Sequence, residues 1–450
     1  MKKLLKYILL MVLAVGSWSC SKEFLEPTVS TDKDVETSIN SVKDLQALIV
    51  GAYDKMNESD YYGRDFVIFG EVRSDNAFSN GNSGRYVGPG QFFLNSTDAY
   101  PTDTWQRIYQ VVSVANIIIN AEITVLDSEK DTYNHVVGQA YATRALAYFD
   151  LLRLYGQEYT GGSLGVPLIT EFKNPDDLYP ERSTITEVYS QITSDLTNSK
   201  SMLVPSLDGD ATEITSMFVS ALESRVYLYM KDYAKAEQSA LEVINSGQYS
   251  LGGNSWGPNL SSGSIFELAF TPSDNLGNTC LYYIVQNTVY GDIEATTDLY
   301  NSFEASDVRR NQFTFDGSST YRTGKYDDPA YLDGVRVIRY AEVLLNYAEA
   351  LTMQNDPGAL AALNVIPNAR GATPYATANL TNVLNERRKE LEFEGHRYYD
   401  LMRNGMDIVK VDPRQTFPDS GIPFGSPELT FPIPNDEVNA NPNMVQNTDY

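Results

Sequence analysis

Segments with the apolar periodicity of an α-helix recur along most of this chain of 450 residues. Between Ser41 and Met56, apolar side chains fall at the i, i+3, i+4 spacing of one helix face: Leu45, Leu48, Ile49 and Ala52. The same spacing returns in Thr104–Ile119, Gly138–Tyr155, Val188–Leu203, Ile214–Met230, Tyr233–Ile244, and Val337–Met353 with Ala359–Ile366. Such helices must bury their apolar faces against one another, so the pattern predicts a mainly α-helical fold.

Consecutive helices in this series form pairs. Ser224 and Tyr227 in one helix, with Ala236 and Ala240 in the next, occupy the small and large positions of a tetratricopeptide unit. Small residues let the two helices of a unit approach closely, and large residues fill the gap between units. We therefore predict a tetratricopeptide-like helical-repeat scaffold of about eight helices, mainly within residues 38–56, 104–247 and 337–405.

Loop-rich segments interrupt the helices. Residues 61–100, 249–334 and 411–450 are rich in Gly, Pro, Asn, Asp and Tyr and show no sustained helical period. Two short apolar stretches, Ile265–Phe270 and Leu281–Val285, predict small strands. We predict one domain over residues 35–450, in which the loop-rich segments and a few short strands pack on the helical scaffold.

The N-terminus has the pattern of a secretory signal. Three lysines precede an apolar run, Ile8–Val15, that is too short to span a bilayer, and small residues then lead into Cys20. We predict a signal peptide over residues 1–19, cleavage before Cys20 with lipid on that residue, and an extended tether over residues 20–34. An ordinary signal peptide that is cut nearby, with Cys20 incidental, is the alternative.

The net charge narrows the range of partners. The chain carries 34 Lys and Arg against 59 Asp and Glu, which gives −25. Such a surface repels phosphate backbones and anionic headgroups, which argues against nucleic acid and peripheral membrane binding. No other apolar run approaches the ~20 residues of a membrane-spanning helix, so the predicted membrane contact is the N-terminal lipid alone. Cys280 is the only other cysteine, so acylation of Cys20 leaves no disulfide partner.

The densest group of ionisable residues lies between Glu386 and Arg403. Its acidic and basic side chains fall at helical spacing, so they can pair between turns: Glu390, Glu394, Arg397 and Asp400. We predict a structural ion-pair network here in preference to a catalytic site. Gly395 is expected either to allow a close helix contact or to begin a new turn.

This segment resembles the C-terminal signature of the SusD/RagB family, surface lipoproteins of Bacteroidetes that capture nutrients. Other blocks are similar to the family in the same order: Phe24–Pro27 after Cys20, Arg144–Gly156 with Val166–Leu168, Arg339–Ala350, and Phe431–Pro434 with Glu437, Asn441–Pro442 and Gln446–Asn447. The resemblance covers almost the whole chain after Cys20. Pro367 departs from it, because the family more often has arginine there, and predicts that a helix stops early.

The resemblance implies a non-catalytic binding protein that is lipid-anchored and exposed at the surface of the outer membrane. Family members rest on a SusC-like TonB-dependent outer-membrane barrel and present glycans, or in some branches peptides, for import. The non-repeat loops usually grip the ligand, here mainly 61–100 and 249–334, while the repeats face the barrel. The expected function is therefore capture of an oligosaccharide for such a barrel, with capture of a peptide as the main alternative.

The aromatic composition suits a sugar site. Tyr outnumbers Phe by 31 to 18, and many of the tyrosines lie in the irregular segments. A sugar ring packs its C–H face on an aromatic ring, and its hydroxyl groups need polar partners at the edge. The candidate ligand-binding residues fall in two loops: Arg73, Asp75, Asn76, Tyr86 and Phe92 in the first, and Trp256, Tyr282, Tyr283 and Tyr290 in the second. Arg73 and Asp75 are equally well explained as a pair with each other.

No catalytic residue, cofactor or metal is predicted. Two G-x-S-x-G sequences lack the flanking strand and helix of a nucleophile elbow, and His135 and His396 are the only histidines. Two acidic groups offer oxygen ligands without EF-hand spacing, so solvated turns are preferred and structural calcium is the alternative: Asp208 and Asp210 with Glu213, and Asp327 and Asp328 with Asp333. A surface glycosidase with two carboxylates and a repeat adaptor that binds only protein stay open.

Overall fold

Helices account for most of the fold. The computed structural model describes residues 39–171, 178–253, 256–257, 260–317 and 320–450. The helices are α1 (Val42–Asn57), α2 (Asp65–Val72), α3 (Val87–Gln91), α4 (Ala99–Ile119), α5 (Lys130–Tyr155), α6 (Ile185–Met202), α7 (Ser216–Tyr229), α8 (Tyr233–Ser246), α9 (Leu281–Val285), α10 (Thr297–Asn301), α11 (Tyr340–Met353), α12 (Ala359–Leu363), α13 (Val365–Arg370), α14 (Leu380–Glu390), α15 (Arg397–Arg403) and α16 (Asn435–Ala440). Short 3-10 turns lie at Asp127–Glu129, Gln157–Thr160, Pro205–Leu207, Gly277–Thr279, Val308–Gln312 and Pro427–Leu429. The predicted signal peptide, Cys20 and the tether lie outside the described residues.

The long helices form the predicted paired scaffold. Helix α4 packs on α5 and α5 on α6, while α7 packs on α8, α8 on α11 and α11 on α14. Between α7, α8 and α11, small and large residues meet as expected: Leu228, Ala236 and Ala350 are buried together, with Tyr227 and Tyr233 against them. The tetratricopeptide-like architecture is therefore confirmed. The described residues form more helices than the predicted number of about eight, because short helices such as α3 and α9 accompany the long ones.

Local sequence sets the ends of these helices. Thr184 begins α6 with a capping box: its side chain accepts a hydrogen bond from the backbone N–H of Glu187, whose carboxylate accepts one from the N–H of Thr184. Asp232 caps α8 by accepting a hydrogen bond from the N–H of Lys235, and Gly247 ends it at φ 67°. The early stop expected near Pro367 lies instead at Asn364, since α12 ends at Leu363 and α13 (Val365–Arg370) runs through Pro367.

Two small antiparallel sheets pack beside the helices. Strands β1 (Ala77–Ser79), β3 (Ile293–Ala295), β5 (Tyr321–Thr323) and β4 (Phe313–Phe315) form one sheet in that order, and β2 (Ser264–Leu268) pairs with β6 (Val335–Arg339) in the other. The strand predicted near Ile265 is therefore confirmed. The strand predicted at 281–285 is wrong, because this stretch is the helical turn α9, with Leu281, Ile284 and Val285 buried on one side.

Residues 61–100 hold more regular structure than predicted. The segment contains α2, β1, α3 and the start of α4. Every residue of α2 is buried, so the helix lacks the polar face from which a surface helix is identified in sequence. The expectation of a long irregular loop is corrected for this reason.

The segment from Glu386 to Arg403 forms part of a buried ion-pair network, as predicted. Three of the four residues expected to pair between turns, however, pair outside the segment: Glu390 and Glu394 with Arg339, and Arg397 with Asp75. Arg387 Nε donates to Asp400 Oδ2 at 2.8 Å, and Arg403 pairs with both Asp400 and Glu349. Burial alone would raise the pKa of Asp400, but Arg387 and Arg403 lower it well below its ordinary value. Gly395 lies between α14 and α15 at φ 80° and contacts Gly70 of α2, so it both begins a new turn and allows a close helix contact.

Val42–Tyr450 forms one compact unit. Met1–Ser41 is a separate unit, of which the structure describes only residues 39–41. Among the described helices, none combines the length and the apolar character needed to cross a bilayer.

Candidate ligand-binding site

The candidate ligand-binding residues of the first loop lie in the interior of the fold. Arg73 is 1% exposed. Its Nη2 donates to the carbonyl oxygen of Glu428 at 2.7 Å, and its guanidinium lies 4.5 Å from the ring centre of Phe92 and 4.9 Å from that of Tyr398. Arg73 and the buried Phe92 therefore hold the C-terminal segment and present no side chain to a ligand.

Asp75 and Asn76 also form hydrogen bonds within the fold. Asp75 Oδ1 accepts a hydrogen bond from Arg397 Nε at 2.7 Å, so Asp75 pairs with a distant arginine and not with Arg73. Burial would raise the pKa of Asp75, but Arg397 and Arg388 lower it to about 2. The amide oxygen of Asn76 accepts from Arg388 Nε at 2.9 Å.

Tyr86 completes this buried set. It is fully buried, its hydroxyl donates to Asp65 Oδ1, and its ring stacks on Tyr100 with 5.0 Å between centres. The prediction that Arg73, Asp75, Asn76, Tyr86 and Phe92 contact a ligand is therefore corrected, because all five are enclosed by partners from other parts of the fold.

The second predicted loop does form an aromatic surface. Tyr282, Tyr283 and Tyr290 come together with Tyr331, and we call these four residues the tyrosine cluster. Ring centres lie 5.2 Å apart for Tyr283 and Tyr331, 5.1 Å for Tyr283 and Tyr290, and 5.6 Å for Tyr282 and Tyr331. None of the four is buried, and Tyr290 is 39% exposed. The rings therefore offer an apolar surface to solvent.

The helical turn α9 explains how two of these rings reach the surface. Leu281, Ile284 and Val285 are buried against the body. Tyr282 and Tyr283 occupy the intervening positions and stay partly exposed. One turn of helix thus presents two neighbouring tyrosines on the side away from the core.

Tyr331 lies in a loop whose conformation is stabilised by hydrogen bonds to two carboxylates of the same loop. Asp328 accepts hydrogen bonds from the N–H groups of Ala330 at 3.0 Å and Leu332 at 3.3 Å, and Asp333 Oδ2 accepts from the N–H of Asp328 at 2.8 Å. Tyr331 adopts φ 65°, which is uncommon for a bulky residue and persists where the surroundings impose it. Tyr331 was not predicted from the sequence, although its position after an Asp-rich turn was an available signal.

Polar groups surround the tyrosine cluster. Tyr282 Oη lies 3.0 Å from Thr288 Oγ1, and Asn278 Nδ2 donates to Tyr290 Oη at 3.3 Å. The guanidinium of Arg85 lies 4.3 Å from the ring centre of Tyr290. The cluster thus combines stacking faces with donors and acceptors at the edge.

Trp256 lies apart from these contacts. Arg336 covers its ring, with 3.8 Å between Cζ and the ring centre, and the ring of Tyr326 meets it edge-on at 5.8 Å. The Nε1 atom of Trp256 is buried, and no residue that the structure describes accepts a hydrogen bond from it. The structure therefore argues against the predicted stacking of a ligand on Trp256, because the Arg336 guanidinium already covers its ring.

The two acidic groups considered for calcium are used in turns. Asp210 Oδ1 accepts from the N–H of Thr212 at 2.9 Å, and Asp208 Oδ1 accepts from the N–H of Ser216 at 3.1 Å. Across the part of the chain that the structure describes, no group of three or more His, Cys, Asp or Glu side chains is arranged to hold a metal ion.

The fold and the tyrosine cluster define a helical-repeat protein with a partly exposed aromatic surface. A family model described as "Starch-binding associating with outer membrane" matches residues 23–228, and one described as "SusD family" matches residues 321–450. The chain belongs to the SusD/RagB family.

Individual relatives agree over nearly the full length. A candidate sugar-binding protein of Bacteroides vulgatus, known from its crystal structure, is 30% identical, with a TM-score of 0.83 over 92% of this chain and 99% of its own. SusD-like protein P38 of Formosa agariphila is 24% identical over 90% of this chain and 92% of its own length. A laminarin-binding SusD-like protein shares the fold, with a TM-score of 0.76 and 24% identity over 91% of this chain and all of its own.

Proposed function

We propose that this protein captures a glycan at the tyrosine cluster without cleaving it and delivers it to a SusC-like TonB-dependent outer-membrane barrel. The observation that carries the proposal is the partly exposed group of four rings, with 5.1 Å between the closest centres. Tyrosine gives a large contact area at little cost in rotamer entropy. The C–H face of a sugar ring suits such a surface, and its hydroxyl groups suit the edge.

The relatives support the same ligand class. One is described as a laminarin-binding protein and another as a candidate sugar-binding protein, so laminarin is the first glycan to test. The protein without residues 1–20 is titrated with laminarin oligosaccharides and a panel of other glycans by calorimetry. We expect saturable binding to at least one of them, and a mixed peptide pool serves as the competing ligand.

Variants of the tyrosine cluster test where the glycan binds. Tyr282→Ala, Tyr283→Ala and Tyr331→Ala each remove one ring, and each is expected to weaken binding on the order of tenfold. Tyr179→Ala is the matched control, because Tyr179 is 49% exposed and lies outside the cluster. Binding of full strength in all three cluster variants would place the ligand elsewhere, and binding of peptides in place of glycans would support the alternative cargo.

We further propose that lipid on Cys20 anchors the protein at the cell surface. Cys20→Ser is expected to release the protein from the membrane fraction and to abolish its labelling by fatty acid. The proposed partner is tested by isolating the protein from detergent-solubilised outer membranes, where a TonB-dependent barrel should copurify.

The proposed lack of catalysis has its own readout. Incubation with a glycan that binds should leave its length distribution unchanged in a chromatographic assay. Release of shorter products would instead support a glycosidase.

A further inference from the structure

A small cavity beside Trp256 has a strongly basic lining. Its volume is about 30 Å³, which gives room for about two water-sized groups or one small anion. The charged residues that line it are Arg309, Lys325, Arg336, Arg339, Arg370 and Glu390. All six are buried. Because buried charges need partners, the acceptor of each cation decides what the cavity can hold.

Four of the five cations are satisfied by the protein. Glu390 accepts hydrogen bonds from Arg309 at 3.1 Å, Arg339 at 2.9 Å and Arg370 at 2.8 Å. Lys325 Nζ donates to two backbone carbonyl oxygens, at 3.0 and 2.8 Å. These four cations therefore already have hydrogen-bond acceptors within the protein.

Arg336 differs from the other four. Its ion pair within the described residues joins Nε to Glu267 Oε2 at 3.4 Å, and this buried Nε makes no hydrogen bond there. The guanidinium lies over the Trp256 ring at the cavity wall. A guanidinium carries five N–H donors, so Arg336 has donors to spare.

Trp256 adds a second donor. Its Nε1 is buried without an acceptor among the described residues, although a buried indole N–H usually finds one. Lys325 Nζ lies 5.1 Å and Arg339 Cζ 5.9 Å from the centre of the same ring. An unpaired N–H among cations, beside a cavity, favours a negatively charged acceptor.

Lys325 has its counter-charge in Glu394, whose Oε1 accepts a hydrogen bond from Lys325 Nζ at 2.7 Å. The donors left for a ligand in the cavity are therefore those of Arg336 and Trp256.

We propose that this cavity binds one oxyanion, a carboxylate or a sulfate group, that accepts hydrogen bonds from the terminal Nη atoms of Arg336 and from Nε1 of Trp256. The group is either a free inorganic anion or the acidic substituent of a larger ligand. Tyr326 connects the cavity with the tyrosine cluster, since it contacts Trp256 and also lines a small cavity with Tyr282 and Tyr331. The oxyanion site does not depend on the proposed glycan function.

Calorimetric titration tests the site with defined probes. The protein is titrated with sodium sulfate and with sodium glucuronate, against sodium chloride at the same ionic strength. We expect saturable binding of sulfate at one site and none of chloride. Trp256→Phe keeps a ring and removes one N–H, while Arg336→Gln removes the guanidinium, and each should weaken sulfate binding about tenfold or more.

Controls separate this site from the rest of the surface. Arg85→Gln alters a cation that lies on Tyr290 and should leave sulfate binding unchanged, as should Tyr282→Ala. Should Arg336→Gln fail to fold because it leaves Glu267 unpaired, Trp256→Phe decides the matter alone. Sulfate binding that is equal to that of chloride, or unchanged in the folded variants, overturns the proposal. Binding of sulfate alone assigns a free anion, and binding of glucuronate as well assigns an acidic substituent.

Discussion

Gly70 of α2 packs directly against the backbone of Gly395. A Cβ atom at Gly70 would lie 2.4 Å from the carbonyl carbon of Gly395, so the two segments meet with no side chain between them. The N–H of Gly395 also donates to Glu71 Oε1 at 2.9 Å. This contact joins an early helix to the turn between α14 and α15.

Gly70→Ala should destabilise the protein by about 3 kcal/mol or more, because a methyl group there meets backbone that cannot turn away. Gly51→Ala in α1 is the matched control. No atom lies within 4 Å of the Cβ position there, so the helix should gain up to about 1 kcal/mol from alanine. Denaturant unfolding of both variants measures the difference, and equal stability would contradict the contact.

Arg403→Met should cost about 3–5 kcal/mol of the free energy of unfolding, because it leaves the buried carboxylate of Glu349 without its main partner. Arg403 Nη2 donates to Glu349 Oε2 at 2.7 Å, and the next arginine, Arg387, is 3.9 Å away. Lys410→Met removes a lysine whose partner Asp419 has a 93% exposed side chain, so stability should stay unchanged. Denaturant midpoints of the two variants test this contrast.

Stability should fall as the pH rises from about 6.5 to about 8, above the range in which buried His396, with its pKa lowered to about 4, opposes the trend. Burial raises the pKa of Glu71 to about 7 and of Glu392 to about 8, above the ordinary value of 4.5 for glutamate. The folded state therefore binds more protons than the unfolded state in this window, and deprotonation favours unfolding.

Glu392→Gln separates the two carboxyl groups. The variant should lose the part of the decline between pH 7 and 8, while Glu181→Gln, at an exposed position, should follow the wild-type curve. Denaturant unfolding at several pH values gives the slopes. A wild-type slope retained in Glu392→Gln would show that another group titrates.

Asp328→Ala should weaken glycan binding about fivefold, because it removes two hydrogen bonds of the loop that presents Tyr331. Asp328 acts through that tyrosine and is a positioning residue. Asp327→Ala is the control, since Asp327 is exposed and its neighbour alone makes these bonds. Calorimetry with the glycan, alongside unfolding curves that remain unchanged, distinguishes lost presentation from lost folding.

The sequence predicted helices such as α1, α6 and α8 well because each buries one face and keeps a polar one. Helix α1 ends within a residue of its predicted bounds. Helix α2 was missed since burial on all sides removes that periodicity. At 281–285, aromatic and β-branched residues favoured a strand, but packing of three apolar side chains on the body selects a helical turn.

The candidate site was predicted only in part. Tyr282, Tyr283 and Tyr290 do lie on the surface, because a loop rich in polar residues carries them. Arg73 and Asp75 also looked like surface residues by charge. Asp75 instead pairs with Arg397, 322 positions away, and no local pattern reveals such a partner. Tyr331 depends in the same way on hydrogen bonds within its own turn.

These long-range pairs also determine when, during synthesis, the protein can complete its folding. Asp75 meets Arg397 across 322 positions, and Asn76 meets Arg388 across 312. A ribosome makes Asp75 and Asn76 long before it makes Arg388 and Arg397. The nascent polypeptide therefore cannot form these buried pairs until synthesis is nearly finished. It stays incompletely folded in the meantime.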